Sequence, residues 1–139
     1  MVVVLKCHRG IGPTVEGAAL VAADNFSTRY DLDRSKGIFC RPGHSLYGQS
    51  YHDKILVLVT AKGGVASAWM LNEMKASGLV PKAIVFDRSN PILAQGAAFA
   101  DLALVDRFEA GCPTTLIATG DRLRIEPDRG LVTILNRSA

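Results

Sequence analysis

Cysteine is scarce in this chain, and its metal-ligating residues form no local motif. The 139 residues include three cysteines, Cys7, Cys40 and Cys112, which is an odd number at wide and unmatched spacings. Such spacings argue against a disulfide framework and against a local zinc or iron–sulfur motif. We therefore expect reduced, mostly buried thiols and no metal bound by this chain. A metal needed for function would have to come from another chain.

Long apolar runs and runs of one charge are also missing. No stretch approaches the roughly 20 residues of a membrane helix, and the apolar residues 1–5 are too few for a signal peptide. The 16 basic residues are scattered among 13 acidic ones, and no basic run is interleaved with aromatics. A nucleic-acid partner is therefore not favoured. We expect a cytoplasmic protein without a membrane or nucleic-acid partner.

The chain does have the composition of a globular domain, with 48% hydrophobic and 21% charged residues. Its length is most simply that of one domain over residues 1–139. In the middle third, buried strands alternate with helices in the order strand 55–59, helix 65–77, strand 82–86, helix 91–99 and strand 102–105. Asn90 and Pro91 are typical of a helix start. This order predicts parallel strands joined by right-handed crossovers.

Strand patterns flank this unit on both sides, so the sequence predicts an α/β fold with mixed sheets. The early strands are predicted at residues 1–7 and 18–23, and the late ones at residues 113–118, 123–126 and 131–135. Residues 24–51 lack strong periodicity, which is unusual for so long a segment and often marks function. This segment carries Arg29, Tyr30, Arg41, His44 and Tyr47.

The turn at residues 61–64 is the first candidate site. Gly63 and Gly64 allow backbone N–H groups to approach a ligand, and the following helix directs its positive end to the same place. That combination suits a phosphate or a carboxylate, although many such turns bind nothing. Lys62 could balance the charge of the anion, and its alternative is a solvated loop lysine.

Other candidates lie outside this turn. His44 is a candidate because histidine commonly serves in binding and in acid–base chemistry, and its alternative is a hydrogen-bonded structural histidine. Arg29 and Arg41 could each bind a carboxylate through two nitrogens, or they could be solvated charges. Trp69 and Met70 are expected in core or interface packing. An apolar face left over on their helix would suit a permanent partner.

Nine short motifs follow one another through nearly the whole chain. They are Gly17-Ala-Ala-Leu-Val21, His44-Ser-Leu-Tyr-Gly48, Lys54-Ile-Leu-Val57, Lys62-Gly63, Met70-Leu-Asn-Glu73, Pro81-Lys-Ala-Ile84, Asn90-Pro-Ile92, Gly96-Ala97 and Gly120-Asp121. In this order they resemble the small, swivelling subunit of the aconitase X family. No single motif is decisive, and the resemblance depends on their order.

The resemblance implies a swivelling β/β/α domain that closes over a larger subunit. The large subunit would carry an iron–sulfur cluster and most substrate contacts, and the reaction would be the dehydration of a small hydroxy acid. On this interpretation the chain is the small subunit of a hydro-lyase, active only with the large subunit and without a cofactor of its own. The alternative is a non-catalytic ligand-binding or regulatory module with the same fold.

The sequence departs from the family pattern at the candidate turn. Family members with known activity usually have Gly-Arg/Lys-Gly-Ser-Ser, and the first serine removes a proton. Here Gly64 stands at that position and cannot take a proton, so another residue acts, the substrate differs, or the step is lost. The nearest hydroxyls belong to Thr60 and Ser67, and we take Ser67 as the candidate base, with helix capping or packing as its alternative. The candidate substrate-binding residues are Lys62, Gly63, Gly64, His44 and Arg41.

Overall fold

A computed structural model describes residues 2–137, apart from the side chain of Arg29. The chain contains strands and helices in the order β1 (Val3–Lys6), β2 (Val15–Val21), α1 (Thr28–Asp31), β3 (Leu32–Asp33), β4 (Ile38–Phe39), β5 (Ile55–Thr60), α2 (Val65–Ser77), β6 (Ala83–Arg88), α3 (Pro91–Phe99), β7 (Ala103–Val105), α4 (Pro113–Leu116), β8 (Arg122–Glu126), a 3₁₀ turn (Pro127–Arg129) and β9 (Leu131–Asn136). None of the helices among residues 2–137 is both long and apolar enough to cross a bilayer.

A seven-stranded sheet runs through the molecule in the order β1-β9-β8-β2-β5-β6-β7. Strands β2, β5, β6 and β7 pair in parallel, whereas β1, β9, β8 and β2 pair antiparallel. Strand β2 therefore joins the two halves, with a parallel neighbour on one side and an antiparallel neighbour on the other. The α/β fold with a central parallel unit and flanking β segments is confirmed.

The parallel strands are apolar along their length because both faces of the sheet are covered. Leu56 and Leu58 of β5 pack into one core, which also contains Leu71 of α2. The alternate residues Ile55 and Val57 pack into a second core on the opposite face, together with buried residues of β8 and β9. Successive strand residues point to opposite faces, so this double burial explains why the sequence shows a continuous apolar run.

Helices α2 and α3 begin and end where the sequence predicts them. The side chain of Asn90 accepts a hydrogen bond from the backbone N–H of Leu93 at 2.7 Å, as an N-cap does. Gly78 ends α2 in the left-handed conformation, and its N–H donates to the carbonyl of Met74 at 3.0 Å. A left-handed glycine is a common way to end a helix.

Elsewhere the predicted elements need correction. Residues 113–118 do not form a strand, because Pro113 starts the helical turn α4 and the N–H of Ile117 donates to its carbonyl at 3.0 Å. The strand predicted at residues 18–23 lies at Val15–Val21. The weakly periodic segment 24–51 contains α1 and the hairpin of β3 and β4. Of the strand predicted at residues 1–7, residues 3–6 are confirmed, and residue 1 lies outside the described residues.

Helices α2 and α3 approach each other most closely at Gly96. A Cβ added there would lie 2.7 Å from both the Cβ and the carbonyl oxygen of Ala68. Contacts this short cannot be relieved by rotating a side chain, since both atoms are fixed to the backbone of α2. Glycine at this position therefore sets the distance between the helix that follows the candidate turn and its neighbour.

We expect Gly96→Val to destabilise the fold by about 1–3 kcal/mol, because the added side chain would push α3 away from α2. The measurement is equilibrium denaturant unfolding followed by circular dichroism. Ala98→Val is the matched control, since it places the same side chain on the exposed side of α3. Equal midpoints for the two variants would contradict the close packing described here.

Candidate functional site

The turn at residues 61–64 lies at the carboxyl end of β5, where the parallel strands of α/β sheets commonly open a ligand crevice. It is held from two sides. On one side, the N–H of Lys62 donates to the carbonyl of Phe26 at 2.7 Å, and Phe26 also forms a parallel bridge with Ala61. On the other side, the amide of Asn90 donates to the carbonyl of Ala61 at 3.2 Å. The turn is therefore a fixed part of the fold.

The two glycines of the turn have different structural roles. Gly63 has a φ of +109°, and a Cβ there would lie 2.4 Å from the Oγ of Ser67. Gly64 caps α2 without a side-chain hydrogen bond, and a Cβ there would meet no atom within 4 Å. Position 63 therefore requires glycine, whereas position 64 faces open space and has room for a side chain.

Ser67, the candidate base, is only 3% exposed. Its hydroxyl lies against Gly63, in the space that a side chain at position 63 would fill. A ligand over the turn would reach this hydroxyl only beside the bare α-carbon of Gly63. The other candidate, Thr60, donates its hydroxyl to the side-chain oxygen of Asn25. The role of Ser67 as a base stays a prediction.

A cleft of about 390 Å³ lies beside the turn. It brings together two of the predicted binding residues, Lys62 and Arg41, which are distant in sequence. The residues that line it are Asp24, Asn25, Ser27, Tyr30, Asp31, Arg41 and Lys62. Lys62 of the turn therefore also lines the cleft, which contains two basic side chains. The side chain of Arg29 is outside the described part of the structure.

Both acidic side chains of the cleft are engaged internally. The Nε of Arg41 donates to Oδ1 of Asp31 at 2.5 Å, and this bond raises the pKa of Arg41 above its usual value. Asp24 accepts from the hydroxyl and the backbone N–H of Ser45 at 2.5 and 2.9 Å. These two hydrogen bonds, led by that from the hydroxyl, lower the pKa of Asp24.

His44 is buried beside the cleft and does not line it. Its Nδ1 accepts from the N–H of Leu46 at 3.1 Å, so Nε2 carries the proton and donates to the carbonyl of Asn25 at 3.1 Å. Its ring stacks on Phe39, with 4.8 Å between ring centroids. This is the geometry of a hydrogen-bonded structural histidine that holds the cleft-lining segment. Direct contact between His44 and a substrate stays a prediction.

Sequence reasoning missed the side chains that organise the cleft, Asp24, Asn25, Ser27 and Asp31. One usable signal was present. The hydroxyl of Ser27 accepts from the N–H of Tyr30 at 3.3 Å, and Asp31 accepts from the N–H of Ser27 at 2.9 Å. This reciprocal arrangement is a capping box with one residue more than the usual spacing.

The face of α2 and α3 next to the turn is apolar and exposed. Trp69 is 61% exposed and Phe99 is 71% exposed, and their rings lie parallel with centroids 6.4 Å apart. With Val65 and Ile92 they border a groove of about 210 Å³. We call these four residues the α2–α3 patch. Trp69 is therefore not a core residue, which leaves the interface role that the sequence analysis considered.

The cysteines and acidic residues of this chain do not fit an iron–sulfur cluster. Within residues 2–137, no three His, Cys, Asp or Glu side chains are grouped so that they could hold a metal ion. Cys40 is exposed, contrary to the expected burial, and Cys7 and Cys112 are half-buried. Burial, with a smaller effect of the Asp106 charge, raises the pKa of Cys7 to about 11. This thiol is therefore protonated at neutral pH.

We expect Gly63→Ala to destabilise the fold by about 1–3 kcal/mol, because it combines a left-handed backbone with a contact against Ser67. Gly64→Ser is the control in the neighbouring residue, and it should change stability by only a few tenths of a kcal/mol or stabilise the helix cap. Denaturant unfolding measures both. Equal losses in the two variants would show that position 63 is not specially constrained.

Known proteins resemble this chain along nearly its whole length. The phosphomevalonate dehydratase small subunit of Methanococcoides burtonii is 32% identical over 133 residues, which are 96% of each chain. That of Methanothrix thermoacetophila is 32% identical over 124 residues, covering 89% of this chain and 88% of the relative. The crystal structure of Thermococcus kodakaraensis aconitase X in its holo-form matches with a TM-score of 0.87 and 29% identity, covering 96% of this chain and 98% of that one.

The family comparison agrees with these relatives. The family model described as the aconitase X swivel domain matches residues 4–134. The match includes the glycine turn, every cleft-lining residue and the α2–α3 patch. The chain therefore belongs to the aconitase X swivel domain family.

Proposed function

We propose that this chain is the small subunit of an aconitase X-type hydro-lyase, which closes over a large subunit and dehydrates a small hydroxy acid. The observation that carries the proposal is the cleft, which brings Lys62 of the glycine turn together with Arg41. The names of the relatives make phosphomevalonate the substrate that we propose. The reaction removes a proton and a hydroxyl group from neighbouring carbons, releasing water and leaving a double bond.

In this proposal the turn and the cleft bind the anionic groups of the substrate. The first N–H groups of α2 point towards the turn, and Lys62 of that turn lines the cleft. The guanidinium of Arg41 offers paired donors to a carboxylate or a phosphate. An anion fixed at these donors would be held next to the Gly63 backbone and hence next to the buried Ser67 hydroxyl.

The proton-accepting step is the least conventional part of the proposed mechanism. Gly64 offers no side chain where the family pattern has serine, so we propose Ser67 as the base. Because Ser67 is buried, it would act as a base only when the closed large subunit excludes water and fixes the substrate over Gly63. The space around position 64 is open, so the large subunit could also place a group there.

The large subunit is the partner that we propose for the α2–α3 patch. Exposed apolar patches of this kind are typical of protein interfaces, and Val65 follows directly after the glycine turn. A partner seated on the patch would therefore also cover the turn. We propose that this partner carries the iron–sulfur cluster, since the side chains described for residues 2–137 do not fit one, and that the complex is cytoplasmic.

A second candidate is a non-catalytic ligand-binding or regulatory swivel module, and the glycine at position 64 is the observation that favours it. Such a module would keep the anion-binding donors of Lys62 and Arg41 while lacking a base. The two candidates differ in whether any hydroxyl of this chain affects turnover. Both candidate functions include ligand binding and the same partner. Formation of the complex with the large subunit therefore does not distinguish between them.

We expect co-expression with the large subunit to give a complex that dehydrates phosphomevalonate. In that complex Ser67→Ala should lower kcat by about 10²–10⁴-fold, and Lys62→Ala should raise KM about tenfold, because a charge-assisted hydrogen bond to the substrate is lost. Lys54→Ala is the control for Lys62→Ala, since Lys54 lies just before β5, at the opposite end of that strand.

An inactive wild-type complex would refute the hydro-lyase proposal. An active complex whose kcat is unaffected by Ser67→Ala would remove the proposed base, and Gly64→Ser then becomes the informative variant. If that variant raises kcat, the open position 64 is where the base belongs.

We expect Trp69→Glu to weaken assembly with the large subunit by about 30-fold or more in Kd, because a charge would replace a large apolar contact. Calorimetric titration of the purified subunits measures it. Val4→Glu is the matched control, since Val4 is an exposed apolar residue on the edge strand β1. Unchanged affinity for Trp69→Glu would exclude the α2–α3 patch as the docking surface.

A further inference from the structure

The cleft beside the turn presents basic donors that take part in no hydrogen bond among the described residues. The carboxylates of Asp24 and Asp31 accept from Ser45, Ser27 and Arg41 within the fold. The formal charges of the two acidic and two basic residues, Asp24, Asp31, Arg41 and Lys62, balance, so preference for an anion depends on the direction of the donors. The terminal nitrogens of Arg41 and the ammonium group of Lys62 are those donors.

Among the described residues, hydrogen bonds hold the Arg41 guanidinium through Nε alone. Its Nε donates to Oδ1 of Asp31 at 2.5 Å, and the Arg41 side chain is 41% exposed whereas that of Asp31 is 4% exposed. The backbone reinforces this contact, because the N–H of Cys40 donates to the carbonyl of Asp31 at 2.7 Å. An arginine fixed through Nε keeps both terminal nitrogens for bidentate binding of a carboxylate or a phosphate.

Asp31 is itself fixed by its neighbours. Its Oδ2 accepts from the N–H of Ser27 at 2.9 Å, and its own N–H donates to the carbonyl of Ser27 at 2.9 Å. The segment that carries Ser27 is paired with the glycine turn through Phe26. The position of the Arg41 guanidinium is therefore set by a chain of contacts that begins at the turn.

We infer that Asp31 is a positioning residue, which orients Arg41 so that Arg41 and Lys62 together bind a carboxylate or phosphate group of the substrate. This inference rests on the proposed function for the substrate and for the assay. Without Asp31 the arginine keeps its charge but regains rotational freedom, and ordering it again on binding costs affinity. The loss should therefore appear in substrate binding and not in the chemical step.

A double-mutant cycle in the assembled complex with the large subunit tests this inference. Asp31→Asn should raise KM about tenfold and leave kcat within twofold, and Arg41→Ala should raise KM about 30-fold. The double variant should match Arg41→Ala alone, because Asp31 acts through Arg41. A merely structural role of Asp31 would raise KM further in the Arg41→Ala background, and that result would overturn the inference.

Glu16→Gln is the matched control variant. Glu16 accepts from the Nε of Arg124 at 3.0 Å, which is the same kind of contact. It lies before Ala19, whose partner Ile55 begins β5, so it is at the opposite end of the parallel strands from the cleft. Glu16→Gln should leave KM and kcat unchanged. An equal rise in KM for Glu16→Gln and Asp31→Asn would also overturn the inference.

Two further measurements keep the inference falsifiable. If Asp31→Asn does not assemble, Arg41→Lys replaces it, since that variant keeps the charge but loses the Nε contact and should also raise KM about tenfold. An unchanged KM for Arg41→Lys would refute the positioning role. Inhibition by inorganic phosphate and by acetate identifies the group that the cleft binds. Only the anion that occupies the cleft should inhibit the Asp31→Asn complex less strongly than it inhibits the wild-type complex.

Failure of the proposed dehydratase reaction can be distinguished from failure of the positioning role of Asp31. If the wild-type complex does not dehydrate phosphomevalonate, the affinity of the same complex for inorganic phosphate and for acetate is measured by calorimetry. Weaker binding of either anion in Asp31→Asn, and not in Glu16→Gln, would retain the positioning role of Asp31 without the reaction. If each anion binds equally well to the wild-type, Asp31→Asn and Glu16→Gln complexes, the positioning role of Asp31 is refuted.

Discussion

The site depends on backbone pairing that continues past the end of β2. The N–H of Ala22 donates to Val57, that of Val59 to Asp24, that of Phe26 to Thr60 and that of Lys62 to Phe26, at 2.7–3.0 Å. These bonds extend the parallel ladder of β2 and β5 into the two loops that follow the strands. Such loops usually move independently. Here they are held in one register, so the turn and the cleft share a fixed geometry.

The elements that the sequence predicts well are those whose signals are local. Helix α3 has a capping asparagine followed by proline, and the parallel strands have apolar runs that only double burial explains. The strand predicted at residues 113–118 was wrong, because an apolar stretch after Pro113 fits a strand pattern and a helical turn equally well. The cleft was missed because contacts such as that between Asp31 and Arg41 join a one-turn helix to a loop, in a segment without periodicity.

The candidate residues fall into two groups, those that line the cleft and those that are buried. Residue type alone does not reveal this difference. Lys62 and Arg41 are candidates because of their charge, and both line the cleft. His44 and Ser67 are candidates because of their acid–base chemistry, and both are buried. Histidine and serine serve as readily in hydrogen-bonded packing as in catalysis. The sequence therefore predicts which basic side chains line the cleft, whereas it does not reveal the burial of His44 and Ser67.

The stacked pair of Trp69 and Phe99 has a spectroscopic consequence. Trp69 is the single tryptophan of the chain, and its indole is mostly in contact with water. Its emission should therefore lie at long wavelength in the isolated subunit and shift to shorter wavelength when the α2–α3 patch is covered. The protein thus carries an intrinsic fluorophore at the surface where we expect its partner, and covering of that surface can be followed without a label.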